Sequence, residues 1–296
     1  MGAFIILLAV MVLGIGISIY RRTKQRKEEN SIGTFPLAWK SILARKVDFY
    51  SHLTPENKSK FEDDIVRFLN NVRIEGVGTT VDITDRLLVA SSAVIPVFGF
   101  PEWDYTFLDE VLLYPEAFDR NFSLGSKNEF ITGMVGSGSM EGKMILSKPS
   151  LHLGFDNASD KQNVGIHEFI HLLDKEDGSI DGILPTFRGK QFTLPWLELI
   201  RKKTEEMLKG KNKDINGYGA TDQREFLAVA GEYFFERPHL LQKNHPELYA
   251  LLATAFNQHT INILKPGKTS RPQLERNKPC HCGSGKKYKN CCLDQS

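Results

Sequence analysis

The pattern His167-Glu168-Phe169-Ile170-His171 places two imidazoles and a carboxylate at a spacing that suits a metal ion. On a helix, residues four apart lie on the same face, so His167 and His171 can bind one zinc ion together. Glu168 lies one step round the helix, where its carboxylate can take a proton from water that zinc has made more acidic. The pattern therefore predicts a catalytic zinc centre, with Glu168 as the catalytic base.

A catalytic zinc ion needs a third protein ligand and an open position. No further histidine follows His171 closely, so this ligand must come from another part of the chain. Glu225 and Glu232 are the candidates, since they share one face of a predicted helix and have small residues between them. The residue pattern alone does not decide which of these two carboxylates is the third zinc ligand. Asp174 is expected to accept a ring N–H and so orient a histidine ligand.

The elements that must position these side chains are mainly helical. Apolar spacing and capping residues predict helices in residues 36–52, from Thr54 and Thr84 onward, and in residues 157–175, 194–208, 222–236 and 246–259. Short apolar runs predict strands at residues 110–114 and 142–147, the second as an edge that could pair with an extended substrate. His152 and His259 have no partner at metal-binding spacing, and we expect them to be surface or packing residues.

Two segments resemble a known family of enzymes. They are His167-Glu-Phe-Ile-His-Leu-Leu-Asp174 and the run from Tyr218-Gly-Ala-Thr-Asp-Gln-Arg-Glu225 to Phe235. Both are similar to the Mlc titration factor A family of zinc-dependent peptidases and to the catalytic domain of anthrax lethal factor. The resemblance covers roughly residues 35–264. It implies a predominantly helical α+β, zincin-like metallopeptidase domain with a small sheet.

The same resemblance assigns residue roles. It implies that Glu225, not Glu232, is the third zinc ligand, and that Tyr218 is catalytic because its hydroxyl can donate to the developing oxyanion. It also implies aminopeptidase-type activity, with endopeptidase activity as the alternative. Members of the family act on a transcriptional repressor as a regulatory partner. The expected substrate is therefore a peptide or a protein.

The four cysteines of the chain all lie near its end, at Cys280, Cys282, Cys291 and Cys292. Two close pairs of thiolates can complete a tetrahedral site for a structural zinc ion. The run from Pro279 to Cys292 resembles the SEC-C motif, which implies a zinc knuckle that binds a protein partner. Its lysines make RNA phosphates the alternative partner. We place the motif at residues 278–293, after a linker at residues 265–277 that is rich in proline, glycine and charge.

The first segment of the chain, residues 1–20, contains no charged side chain and is almost entirely apolar. Its length is at the short end of what crosses a bilayer as a helix. Five of the next seven residues are basic, and we place a basic juxtamembrane segment at residues 21–34. This order reverses the charge order of a cleavable signal peptide. The positive-inside rule then predicts a single-pass membrane protein with its catalytic domain in the cytoplasm.

Composition limits the class of protein. The 296 residues include 38 Lys and Arg against 36 Asp and Glu, and 41% are hydrophobic. These values exclude a disordered or collagen-like chain, and four clustered cysteines exclude a secreted disulfide scaffold. The net charge of +2 is unlike that of a general nucleic-acid binder. Because both ends are basic, the central 35–264 domain must be acidic.

These features predict a membrane-anchored zinc metallopeptidase with two zinc ions, one catalytic and one structural. One alternative is a regulatory protein that keeps the fold but acts by sequestering a protein partner, either a regulator or a ribosome or translocation factor. Another is an exported enzyme whose first segment is a signal sequence. Intact His167, Glu168 and His171 favour the enzyme over the pure binder, because a binder could lose Glu168 without losing the metal.

Overall fold

The computed structural model describes residues 35–125, 130–157, 160–189 and 191–264, together with Lys287. The predicted membrane helix, the basic segment, the linker and the four cysteines lie outside the described residues. Within the described ranges, no helix is both long and apolar enough to cross a membrane.

Helices make up most of the described structure, as predicted. They are α1 (Leu37–Lys46), α2 (Asp48–His52), α3 (Pro55–Asn71), α4 (Ile83–Val97), α5 (Lys148–Asp156), α6 (Val164–Asp174), α7 (Thr193–Leu208), α8 (Gln223–Glu236), α9 (Pro238–Asn244), α10 (Pro246–Ala255) and α11 (Thr260–Ile263). Single 3-10 turns occur at Lys175–Asp177 and Gly217–Ala220, on either side of α7.

Capping residues define where the helices begin. Thr54 caps α3 as predicted, since its hydroxyl accepts from the Asn57 N–H at 3.3 Å. The prediction that Thr84 caps α4 is wrong, because Asp82 and Asp85 form a reciprocal capping box two residues earlier. Residues 157–175 are not one helix either. The Asn163 side chain accepts from the Ile166 N–H at 3.1 Å and starts α6 at Val164.

The sheet has four strands, β1 (Arg73–Gly76), β2 (Glu110–Tyr114), β3 (Gly133–Val135) and β4 (Lys143–Ser147), in the order β1-β2-β4-β3. The first three in that order are parallel, and β3 runs antiparallel to β4. The prediction that β4 is an edge strand is therefore wrong. Its residues Met144 to Ser147 are all buried, as expected for a strand with neighbours on both sides. The edge strand next to β4 is β3, which is too short to predict from periodicity.

Helix α6 packs between α4 and α8, and small residues allow the close approach. A Cβ at Gly165 of α6 would lie 2.1 Å from the Ser92 hydroxyl of α4. A Cβ at Gly231 of α8 would lie 2.3 Å from Ile170 of α6. Neither gap admits a methyl group, so these glycines set the spacing of the three helices. This spacing brings the carboxylates of α8 to the histidines of α6.

Candidate metal centre

Three of the predicted ligands converge on one point. The Nε2 atoms of His167 and His171 are 3.2 Å apart. A Glu225 carboxylate oxygen lies 3.0 Å from the His167 Nε2 and 3.6 Å from the His171 Nε2. The histidines lie one helical turn apart on α6, and Glu225 comes from the first turn of α8. The structure thus brings together the residues that the sequence predicts as zinc ligands.

The donor set fits a zinc ion. Bonds of about 2.0–2.2 Å to a single tetrahedral ion place ligand atoms roughly 3.3 Å apart. The observed separations of 3.2, 3.0 and 3.6 Å agree with this value. Two imidazoles and one carboxylate also leave a fourth position for a reactant, which is typical of catalytic zinc sites. His167, His171 and Glu225 could therefore hold zinc in a catalytic arrangement.

Glu225 carries the negative charge that a dication needs. Its burial opposes ionisation, but hydrogen bonds with His167 and His171 outweigh burial and hold the pKa of this carboxyl well below its usual range. Asp222 caps α8 and accepts from the Glu225 N–H at 3.1 Å, which anchors the turn that carries the ligand.

Glu232 has a different role, which the sequence did not predict. One of its oxygens lies 2.7 Å from the His167 Nδ1, on the opposite side of the ring from Glu225. Its other oxygen accepts from the Asn163 N–H at the start of α6. A carboxylate in this position fixes the ring orientation and the tautomer of a metal-binding histidine. Glu225 and Glu232 have the spacing of residues on one face of a helix, and this spacing predicts that both face α6.

The expectation that Asp174 orients a histidine is wrong. This fully buried carboxylate accepts from the backbone N–H groups of Gly182 at 2.7 Å and Ile183 at 3.1 Å. The His171 Nδ1 is buried and has no hydrogen-bond partner among the described residues. The chain turns back after α6, so a loop reaches Asp174 instead of an imidazole. Burial raises the pKa of Asp174 to about 6, although the two backbone hydrogen bonds oppose the shift.

Glu168 is almost completely buried, with 6% of its surface exposed, and lies against β3. A Cβ at Gly133 of β3 would be 2.6 Å from the Glu168 Oε1. Burial raises the pKa of Glu168. The nearby His167 and His171 oppose this shift, and the carboxylates of Glu225 and Glu232 add to it. A carboxyl with a raised pKa is suited both to accept and to return a proton.

Tyr218 is half-exposed, at 53%, and lies on the Gly217–Ala220 turn. Its ring centroid is 6.2 Å from that of His167. Burial and the carboxylates of Glu225 and Glu168 raise the pKa of Tyr218, so its hydroxyl remains a donor at neutral pH. Tyr218 thus lies beside His167 and lines the same pocket as the candidate ligands.

A cleft with two lobes opens onto these residues, with volumes of about 450 Å³ and about 570 Å³. The lobes share the residues at their junction, which are Phe130, Ile131, Gly133, His167, Glu168 and Tyr218. Because the shared residues include Glu168 and one candidate ligand, a bound chain could extend to both sides of the metal centre.

Comparisons with known proteins show which family the chain belongs to. The glucose-regulated metallo-peptidase M90 family matches residues 20–257, and the SEC-C motif matches residues 276–294. An uncharacterized protein of Synechocystis sp. (strain ATCC 27184 / PCC 6803 / Kazusa) is 31% identical over 229 residues, which cover 73% of this chain and 82% of that protein.

Two further relatives carry the name Mlc titration factor A. The Klebsiella pneumoniae (strain 342) protein is 24% identical over 251 residues, covering 81% of this chain and 92% of its own. The Escherichia coli (strain 55989 / EAEC) protein is 26% identical over 250 residues, covering 80% and 92%. The chain therefore belongs to the glucose-regulated metallo-peptidase M90 family and carries a SEC-C motif after its metallopeptidase domain.

Proposed function

We propose that this protein is a zinc-dependent peptidase, with zinc held by His167, His171 and Glu225. The observation that carries the proposal is their convergence beside buried Glu168 at the junction of a two-lobed cleft. When bound there, zinc would polarise a carbonyl group and acidify a water molecule. Membership of the metallopeptidase family supports the same chemistry.

Three side chains have the other roles in the proposed reaction. The Glu168 carboxylate accepts a proton from the attacking water and returns it to the leaving amine. The Tyr218 hydroxyl donates a hydrogen bond to the oxygen that becomes negative in the transition state. Glu232 keeps the His167 ring in place from behind.

Among the described strands, only β4 pairs with β3, and the outer edge of β3 supports binding of an extended peptide. The Thr132 carbonyl accepts a hydrogen bond from the Ser147 backbone N–H at 2.8 Å, and the Gly136 N–H donates to the Lys143 backbone carbonyl at 2.8 Å. In an antiparallel ladder, the alternate residues Gly133 and Val135 then direct their backbone groups away from β4. A substrate backbone can pair there, next to Glu168. This assigns to β3 the role that the sequence predicted for β4.

The proposal is tested by Glu168→Gln in the full chain, with zinc content and hydrolysis of a peptide library as the measurements. The variant should keep its zinc and lose at least about 100-fold in rate, the scale of general-base catalysis. Glu198→Gln on the exposed side of α7 is the control and should cleave like the parent. Equal rates for Glu168→Gln and the parent would refute the peptidase. Release of single amino-terminal residues would establish the aminopeptidase type, and internal cuts the endopeptidase type.

A second function is favoured by the relatives named Mlc titration factor A. In this alternative the domain binds a regulatory protein and sequesters it, and the SEC-C motif contributes to the contact. Calorimetry with purified Mlc tests it: tight binding by Glu168→Gln and the parent alike, without cleavage, would favour sequestration. Absence of binding would exclude Mlc as the sequestered protein.

We also propose that residues 1–20 anchor the protein in a membrane, with the domain on the cytoplasmic side. The apolar segment and the basic residues after it are the support for this placement. Protease treatment of intact and lysed spheroplasts tests the orientation, and cell fractionation tests the anchor. Digestion of the domain in intact spheroplasts would refute the orientation, and recovery of the domain in the soluble fraction would refute the anchor.

A further inference from the structure

Asn163, the residue before α6, holds one candidate zinc ligand in two ways. Its carbonyl accepts a hydrogen bond from the His167 backbone N–H at 2.9 Å, in the first turn of the helix. Its own backbone N–H donates to one oxygen of Glu232, and the other oxygen of that carboxylate lies 2.7 Å from the His167 Nδ1. The backbone of His167 is therefore held directly by Asn163, and its ring is held through Glu232.

The side chain of Asn163 fixes the direction of the backbone N–H that meets Glu232. Its Oδ1 accepts from the Ile166 N–H at 3.1 Å, which is the hydrogen bond of an N-cap residue. This cap holds Asn163 in an extended conformation, although the next residue is already helical. Helix ends fray when their first N–H groups lack partners, so loss of the cap would release both Asn163 and its contact with Glu232.

Burial and packing hold this arrangement in place. Asn163 is 2% exposed and Glu232 is 5% exposed, so their hydrogen bonds are shielded from water. Helix α5 packs against Asn163 at a glycine, because a Cβ at Gly154 would lie 2.8 Å from the Asn163 Cγ and 2.9 Å from its Cα. A larger residue does not fit there while Asn163 keeps its position. Contacts from α5, α6 and α8 therefore meet at Asn163.

We propose that Asn163 is a positioning residue of the metal centre: its side-chain cap holds Glu232 in place, and Glu232 keeps the His167 ring in the orientation that binds zinc. Loss of a residue that orients a metal-binding histidine lowers metal affinity by about 10–100-fold. The cap of α6 thus contributes to zinc binding as well as to the stability of the helix. This inference rests on the proposed zinc site and adds to it a residue outside the His-Glu-x-x-His pattern.

Asn163→Ala in the full chain tests this role, with zinc affinity measured by competition with a chromogenic chelator. The variant should bind zinc about tenfold more weakly than the parent, the lower end of the effect of such partners. Asn163→Ser keeps a capping oxygen and should bind zinc like the parent. The cysteines are the same in every variant, so a difference between variants reports the peptidase centre. Equal zinc affinity of Asn163→Ala and the parent would overturn the proposal.

A matched control separates positioning from a general loss of stability. Thr54→Ala removes the cap of another helix, α3, and should lower the urea midpoint while leaving the zinc affinity of the parent. Gly154→Ala displaces Asn163 from the side of α5 and should weaken zinc binding as Asn163→Ala does. It replaces Asn163→Ala in each measurement if that variant does not fold. Equal losses of zinc affinity in Thr54→Ala and Asn163→Ala would overturn the positioning role.

A double-mutant cycle tests whether Asn163 acts through Glu232. In the Glu232→Ala background, Asn163→Ala should change zinc affinity little, because the carboxylate that it positions is absent. Fully additive losses in the double variant would overturn this route.

Zinc affinity and hydrolysis together distinguish this inference from the peptidase function. Weaker zinc binding by Asn163→Ala, with no hydrolysis by the parent, would refute the peptidase and support the positioning role. Hydrolysis by the parent, with equal zinc binding by Asn163→Ala, would support the peptidase and overturn the positioning role.

Discussion

At the scale of single residues, two glutamates of α8 approach the same imidazole from opposite sides. Glu225 meets the His167 Nε2 at 3.0 Å, and Glu232 meets its Nδ1 at 2.7 Å. The first carboxylate is placed to bind a metal ion, and the second to hold the ring that binds it. Both carboxylates are therefore needed, but for different reasons.

This division predicts different losses in two variants. Glu225→Ala removes a ligand and should lower the zinc affinity of the site by more than about 100-fold, and Glu232→Ala should lower it by about 10–100-fold. Competition with a chromogenic zinc chelator measures both values. Glu198→Ala is the control and should bind zinc like the parent. A larger loss in Glu232→Ala than in Glu225→Ala would mean that the two roles are reversed.

At the scale of elements, β3 and α6 meet at a glycine. A Cβ at Gly133 would lie 2.6 Å from both the Glu168 Oε1 and a Val164 methyl group. A real side chain cannot approach so closely, so the edge strand can lie against Glu168 only because residue 133 has no Cβ. The absence of a Cβ at residue 133 therefore sets the distance between β3, which we propose holds the substrate, and Glu168, the proposed base.

Gly133→Ala should therefore displace Glu168 and lower kcat by about tenfold or more, because small misplacements of a catalytic group are costly. Overpacking should also cost about 1–3 kcal/mol in the free energy of unfolding. Steady-state kinetics and urea unfolding measure the two effects. Gly217→Ala, where a Cβ would meet open space, should leave the free energy of unfolding near that of the parent. A kcat equal to that of the parent in Gly133→Ala would contradict the role of this contact.

At the scale of the whole molecule, Asp214 joins segments that are distant in sequence. Its carboxylate accepts from the Tyr233 hydroxyl at 2.7 Å and from the Asn244 amide at 2.9 Å, and Lys161 is 3.1 Å away. These contacts tie the segment that precedes the Tyr218 turn to α8, to α9 and to the loop before α6. Asp214 therefore helps to fix one wall of the cleft.

Acid should weaken this junction. Burial alone would raise the pKa of Asp214, but hydrogen bonds from Asn244, Tyr233 and Lys161 lower it from 3.8 to about 2. A depressed carboxyl pKa stabilises the fold above about pH 4, and this stabilisation is lost as the pH falls towards 2. Urea unfolding from pH 6 to pH 2 should show a smaller loss of stability in Asp214→Asn than in the parent. Parallel curves for the two proteins would contradict the prediction.

The metal content of the whole chain should reflect two separate sites. We expect two zinc ions per chain, one at the peptidase centre and one held by the cysteines of the SEC-C motif. Cys291→Ser should remove one zinc ion and weaken binding of a protein partner, without changing peptide hydrolysis. Elemental analysis together with the peptide assay measures this. A full zinc content in Cys291→Ser would argue against the cysteine site.

The sequence by itself determined the chemistry that is local to one helix. His167, Glu168 and His171 share a turn of α6, and helical geometry places them without reference to any other element. The cysteine pattern and the resemblance to a zinc peptidase family likewise needed no tertiary contact, and the family and motif matches agree with both.

Only the tertiary structure decided which side chains of other elements contact the histidines of α6. Glu225 and Glu232 lie on one face of α8, so periodicity alone could not say which would reach the Nε2 of His167 and which the Nδ1. The close packing of α8 on α6, which Gly231 allows, brings Glu225 to the Nε2 and Glu232 to the Nδ1 of His167. Asp174 accepts a hydrogen bond from the Gly182 backbone and not from a histidine, and β3 pairs with the outer side of β4. Neither contact could be predicted, because contacts between distant segments depend on the path of the chain and not on local spacing.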